Sequence, residues 1–278
     1  MLKPSENIFK CKKWLFAVPL VLGLTACGSD VYTQFVSDAV TADQLEEAAV
    51  LQYTQVTSQA QSQGALVSAK NKDYQRLQRI SKDLIPFTPE YNPKAATWNW
   101  QVQLINSDQI NAWCMPGGKI AFYTAIISEL KLTDDEIAMI MGHEMTHALR
   151  EHALKQINKD ATTKKGLSLG TKAAGVDDNA MVQKLSELGA ELLSLKFSRT
   201  DETEADRIGQ EIAARAGYNP QAAITLWEKM NKLSSGGSST APFLSTHPQH
   251  DQRISDLKAN LPKVMPLYEE AKQQKKKK

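Results

Sequence analysis

Residues 133–147 dictate more about the fold than any other stretch of the chain. Thr133-Asp134-Asp135-Glu136 has the form of a capping box, with Thr133 as N-cap and Glu136 reaching back from the third helical position. The apolar run Ile137, Ala138, Met139, Ile140, Met141 follows at once, and then Gly142-His143-Glu144-Met145-Thr146-His147. A helix apolar on nearly every side has to be buried. Two histidines four residues apart on such a helix project from one face, where they can grip a single zinc ion, and the Glu144 carboxylate lies beside the metal's open position. That carboxylate can take a proton from a water whose acidity zinc has raised, which is what hydrolysis of a peptide bond at neutral pH requires.

A catalytic zinc needs a third protein ligand and one position left for water. The candidate segment is Ser198-Arg199-Thr200-Asp201-Glu202-Thr203-Glu204-Ala205-Asp206. Glu202 and Asp206 are four apart on a predicted helix, so one can ligate while the other accepts a hydrogen bond from a ligating imidazole. Glu204 falls on a different face. Of the five histidines, His152 follows His147 by five residues, about 140° off the ligand face on a continuous helix, and is expected to be structural. Arg253 is placed to hold a carboxylate or a backbone carbonyl near the site, or to form a surface ion pair.

Four motifs carry a family resemblance. Gly142-His143-Glu144-Met145-Thr146-His147, the Asn111-Ala112-Trp113-Cys114-Met115-Pro116-Gly117-Gly118 segment, Ser198-Arg199-x-x-Glu202-x-x-Ala205-Asp206, and Thr246-His247-Pro248 followed by Arg253-Ile254 are all present. Together they resemble the HtpX, Oma and CaaX-prenyl-protease-like gluzincin metallopeptidases, in particular the soluble, lipoprotein-type members, over about residues 70–260. The resemblance implies a zincin-type domain with one Zn2+ per chain, His143 and His147 as ligands, Glu202 as the third and Glu144 as general base. It also places His247 where, in similar proteins, the side chain can approach the zinc, occupy the water site and keep the enzyme latent. A role as transition-state donor and a plain helix-start histidine are the other readings of His247. Trp113 and Cys114 stand where the family often has small or aliphatic residues, which bears on the substrate subsites. No tetratricopeptide-like array follows residue 260, and no set of membrane spans is visible.

The termini bear on location. Lys10, Lys12 and Lys13 precede an apolar stretch, residues 14–24, too short to span a bilayer comfortably, and Leu24-Thr25-Ala26-Cys27 has the form of a lipobox. This resembles a bacterial lipoprotein signal. Residues 1–26 are then a signal peptide, Cys27 the lipidated residue, 27–40 a tether, 41–265 the metallopeptidase domain and 266–278 a basic, solvated tail. Several acyl chains on one residue anchor stably where one would not. Gly28, rather than Asp, after the cysteine favours the outer membrane, on its periplasmic face, by resemblance to enterobacterial sorting.

Residues 1–26 hold four lysines and one glutamate, which leaves 29 basic and 30 acidic side chains in the remainder. Nothing in that balance argues for nucleic acid as a partner. With Cys11 removed and Cys27 acylated, Cys114 has no intramolecular disulfide partner. A buried thiol between Trp113 and Met115 is the default, a mixed disulfide with a partner the alternative.

The expected fold class is α+β, mostly helical, with a small antiparallel sheet ahead of the metal helix. Residues 42–84 have the pattern of long or paired helices ending before Pro86. Trp98, Trp100, Val102 and Leu104 alternate as a half-buried strand, and 111–115 and 119–123 flank Pro116-Gly117-Gly118 as a hairpin. The sheet edge can take an extended substrate as an added strand. Helices are expected over 178–197, 200–216, 220–233 and 248–260, with 166–175 and 234–239 as connectors or mobile covers.

These features point to an endopeptidase acting on unfolded or misassembled envelope proteins, with the outer-membrane assembly machinery as a possible partner. A chaperone or assembly factor with a closed zinc site is the competing reading. Glu144 favours catalysis, because a pure binding module has no chemical need for it.

Overall fold

The computed structural model describes residues 39–164, 178–235, 241–248 and 252–277. Cys27, His250, the connector at 166–175 and most of the glycine-serine run at 234–239 lie outside the described residues. Helices α1 (Ala42–Ser62) and α2 (Lys72–Leu84) lead through two 3-10 turns to strands β1 (Gln101–Ile105), β2 (Ala112–Met115) and β3 (Lys119–Tyr123). The remainder is helical: α3 (Thr124–Glu129), α4 (Asp134–Leu149), α5 (His152–Lys164), α6 (Asp178–Leu192), α7 (Arg199–Arg215), α8 (Ala222–Ser235), α9 (Pro242–Thr246) and α10 (Arg253–Lys277).

Helix α4 is the axis of the molecule. Its capping box forms as the sequence requires: Thr133 Oγ1 accepts from the Glu136 N–H at 3.2 Å and Glu136 Oε2 accepts from the Thr133 N–H at 2.9 Å. From Glu136 onward every residue of α4 is buried. Helices α2, α7 and α8 and strand β2 pack around it, and the main core gathers Ile137, Ile140 and Met141 with Leu77, Leu104, Phe122 and Ile212. A second capping box, Ser198 with Asp201, starts α7.

The sheet has the order β1-β3-β2. Strands β2 and β3 form the expected antiparallel hairpin, with Gly117 and Gly118 both at φ +74°, the left-handed region glycine adopts without strain. Strand β1, however, runs parallel to β3, Gln101 opposite Lys119, so the sheet is mixed where an antiparallel one was expected. Alternation reports which face of a strand is buried and is silent on the direction of its neighbour.

Helix α10 also departs from expectation. It continues through Pro262 and Pro266 to Lys277, taking in the segment read as a tail. Val264 and Ala271 are buried along it, and Lys275 Nζ lies 3.7 Å from Asp83 Oδ2 and 5.2 Å above the Tyr218 ring. Among the described residues no helix is long and apolar enough to cross a membrane.

Candidate metal centre

The four-residue spacing on α4 brings His143 and His147 together as the sequence implied, with their Nε2 atoms 3.1 Å apart. Helix α7 crosses α4 at a glycine pair. A Cβ at Gly209 would lie 2.5 Å from the His143 nitrogen, and one at Gly142 would lie 2.6 Å from the Gly209 carbonyl oxygen. This backbone-to-backbone approach sets Glu202, fully buried, with Oε2 3.7 Å from His143 Nε2 and Oε1 3.4 Å from His147 Nε2. His247, just after α9, reaches in from the opposite side, its Nε2 3.3 Å from Glu144 Oε1. Among the described residues, His143, His147, Glu202 and His247 each offer a buried ligand atom, all within 4.8 Å of one another.

Each α4 histidine is backed from behind. His143 Nδ1 meets Asp206 Oδ1 at 3.0 Å. Arg253 donates from Nη1 to Glu202 Oε2 at 2.8 Å and from Nη2 to Asp206 Oδ1 at 2.7 Å, with its guanidinium carbon 3.3 Å over the Trp227 ring. The structure therefore places Asp206 and Arg253 at the site, one guanidinium bridging two buried carboxylates. His147 Nδ1 meets His152 Nδ1 at 3.0 Å, and His152 Nε2 meets Glu204 Oε2 at 2.9 Å. The sequence reading had set His152 off the ligand face. Helix α4 stops at Leu149 and Glu151 takes φ +54°, so the chain turns and His152 opens α5 pointing back at His147. Spacing alone carries no signal for that reversal. Two aromatic partners also escaped the sequence reading: Phe197 stacks on His147 with centroids 3.8 Å apart, and Phe243 on His247 at 4.4 Å.

Burial governs the electrostatics. It holds His143, His147 and His247 well below the ordinary histidine range, and the Arg253 charge adds to this, while Glu202 opposes it at His247, so burial favours the neutral imidazole. Burial, reinforced by the nearby Glu202, pushes Glu144 well up. Burial raises Glu202 too, although His247 and Arg253 oppose it. Glu144 Oε1, Glu202 Oε1 and His247 Nε2 find no hydrogen-bond partner among protein groups. Because the Asp206 carboxylate accepts the His143 Nδ1 proton, the His143 Nε2 lone pair faces the cluster. Neutral imidazole nitrogens and a carboxylate oxygen converging on one point fit a divalent cation.

Strand β2 is the sheet edge beside this cluster. Asn111 O accepts from the Tyr123 N–H at 3.1 Å, so by antiparallel alternation Ile110, Ala112 and Cys114 turn their backbone groups outward. Ile110 O accepts from the Phe243 N–H at 3.2 Å, the Ala112 N–H donates to Asn111 Oδ1 at 3.0 Å, and the Cys114 N–H donates to the Glu144 carboxylate. In front of the edge opens an apolar cleft lined by Leu45, Cys114, Leu192, Leu195, Phe197 and His247. Cys114 is the buried thiol expected, and burial pushes its pKa well up.

A buried His-Glu-x-x-His helix, a glutamate from a crossing helix and an adjacent sheet edge define a zincin-type metallopeptidase site. The profile of Peptidase family M48 matches residues 71–261, and the chain belongs to that family, as the four sequence motifs suggested. It is 36% identical over 155 residues to the Arabidopsis thaliana mitochondrial metalloendopeptidase OMA1, covering 56% of this chain and 30% of that protein. With the Escherichia coli metalloprotease LoiP it shares 25% identity over 253 residues, 90% of this chain and 96% of the relative. The beta-barrel assembly-enhancing protease of Yersinia pestis is 28% identical over 213 residues, 69% of this chain and 43% of that one. The chain thus spans less than half the length of the first and third of these relatives.

Proposed function

We propose that this chain is a zinc-dependent endopeptidase of the bacterial cell envelope, tethered by a lipidated Cys27 at the periplasmic face of the outer membrane, that hydrolyses misfolded or misassembled envelope proteins. The catalytic part rests on one observation: donors from two crossing helices converge on a buried point with Glu144 beside them and a sheet edge in front. His143, His147 and Glu202 would hold one zinc ion. When bound, zinc raises the acidity of a coordinated water and draws charge from the scissile carbonyl. A substrate strand adds to the β2 edge through main-chain hydrogen bonds and lays its side chains in the apolar cleft. Glu144 takes the proton of the attacking water and delivers it to the leaving amine, a task suited to a carboxyl whose pKa burial has raised. Asp206 orients His143, and Arg253 keeps Glu202 aimed.

His247 supports a latent form of this enzyme. It contributes a fourth buried donor, sits 3.3 Å from Glu144, and follows a segment that already takes the Ile110 carbonyl of the edge. Release of α9 would free both the edge and the base. The same closed arrangement suits a client-holding assembly factor, and one relative is named for enhancing β-barrel assembly, which makes outer-membrane assembly machinery the partner to test.

The experiment is cleavage of an unfolded protein such as casein by the full chain, beside Glu144→Gln, His247→Ala and a chelator-treated sample. Wild type is expected to cleave slowly, His247→Ala faster, and Glu144→Gln and the chelated sample not at all. Cleavage that survives Glu144→Gln would overturn the mechanism, and client binding without cleavage by any form would favour the assembly factor. Cys27→Ser is expected to move the protein from the membrane to the soluble fraction.

A further inference from the structure

We propose that His152 and Glu204 form a positioning relay that fixes the tautomer and ring orientation of His147. The proposal deepens the preceding reading and rests on His147 being a zinc ligand.

Three contacts lead to it. Glu204 receives the Arg150 Nε–H on Oε1 at 2.8 Å and turns Oε2 to His152 Nε2 at 2.9 Å. An ionised carboxylate only accepts, so His152 Nε2 carries the ring proton and, in a neutral imidazole, Nδ1 keeps the lone pair. Asp201 Oδ1, 3.7 Å from the same Nε2, adds a negative charge that favours the same placement. His152 Nδ1 is 3.0 Å from His147 Nδ1, so the proton between them belongs to His147, and His147 Nε2 turns its lone pair to the point where His143 Nε2 and Glu202 converge. The opposite tautomer would put an N–H where a ligand atom is needed, whereas this one lets the His143 and His147 Nε2 lone pairs, 3.1 Å apart, converge where a cation would sit. His143 reaches the same state in one step, from Asp206.

The surroundings hold the geometry. His152 is fully buried and Phe197 stacks on the His147 ring. Glu151 accepts a left-handed backbone that non-glycine residues rarely adopt, and this turn is what aims His152 at His147. Such strain tends to persist where the surrounding structure sets a site.

The test uses the full-length chain. Zinc affinity is read by competition with a chromophoric chelator, and the tautomer of His147 from 15N-histidine NMR spectra of the metal-free protein. His152→Phe, which keeps a planar ring and removes the acceptor, is expected to weaken zinc binding by about 10- to 100-fold. His152→Gln, whose carboxamide oxygen can still accept, should keep most of the affinity. Glu204→Ala is expected to cost about tenfold and to mix the two His147 tautomers. Its side chain is partly exposed, so this variant tests the relay even if His152→Phe fails to fold. An unchanged tautomer and affinity in Glu204→Ala would overturn the proposal, as would equal losses in His152→Phe and His152→Gln. A purely structural role would lower the melting temperature and move neither readout. If wild type binds no zinc, the endopeptidase reading fails, and the tautomer of the metal-free protein still decides the relay.

Discussion

His143 and His147 sit one turn apart on the same helix and are aimed at the same point by unlike means. Behind His143 stand Asp206, Arg253 and Trp227, each within direct reach and all buried. Behind His147 stands a second imidazole, and the carboxylate and guanidinium that finish that chain, Glu204 and Arg150, are about a third exposed. The inner support is therefore part of the folding core, where charges are stable only as a set. The outer support ends at solvent, where a change alters the site and leaves the core intact.

The largest expected break comes from the inner side. Arg253→Leu leaves Glu202 and Asp206 buried without their cation, which is expected to cost about 3–5 kcal/mol of stability, read from urea unfolding. Comparable stability of this variant and wild type would show that the inner support is not a unit of the core. Next is Gly209→Ala. The new methyl would meet the His143 backbone, so α7 must retreat with Glu202 and Asp206 on it. About 1–3 kcal/mol is expected from the overpacking, with a loss of zinc content by metal analysis; full zinc occupancy in a folded Gly209→Ala would contradict the close-approach argument.

The far end of α4 offers a baseline that neither support touches. Burial pushes the Glu136 carboxyl up, but Lys229, the Thr133 N–H and Thr225 together hold it below its ordinary value of 4.5. The unfolded chain then takes up the proton first as pH falls, so this contribution is complete above about pH 4.5 and is lost as acid titrates the folded carboxylate. Glu136→Gln should flatten that part of the acid profile and cost about 1 kcal/mol near neutrality, measured as urea midpoints at about pH 6 and about pH 4. An unchanged slope would remove Glu136 from the account. The smallest effect is expected at the outer rim: Arg150→Ala should change stability by less than about 1 kcal/mol, since exposed ion pairs contribute little. A loss as large as that of Arg253→Leu would erase the distinction between the two supports.

How much of this was legible beforehand follows the range of the interaction. The capping box at Thr133, the hairpin around Gly117 and Gly118, and the shared face of His143 and His147 are each set within a few residues, and spacing reveals them. Glu202 and Asp206 could be narrowed to one segment because their four-residue spacing is also local. His152 is outside the ligand group, as its spacing suggested, but its contact with His147 was missed because a helical wheel assumes the helix continues, and Glu151 ends it in a left-handed turn. The last helix was expected to end at residue 260, whereas burial of Val264 and Ala271 carries it onward to Lys277.

By itself, then, the sequence determined a buried helix bearing two histidines and a carboxylate, and a second helix bearing two acids, because helical periodicity converts spacing into direction. Only the tertiary structure decided that Gly142 and Gly209 let those helices touch, that β1 lies parallel to β3, that Arg253 bridges Glu202 and Asp206 from 51 and 47 residues away, and that His247 closes on Glu144. Each of these depends on the approach of segments distant in the chain, which packing of the whole core sets and no local pattern encodes.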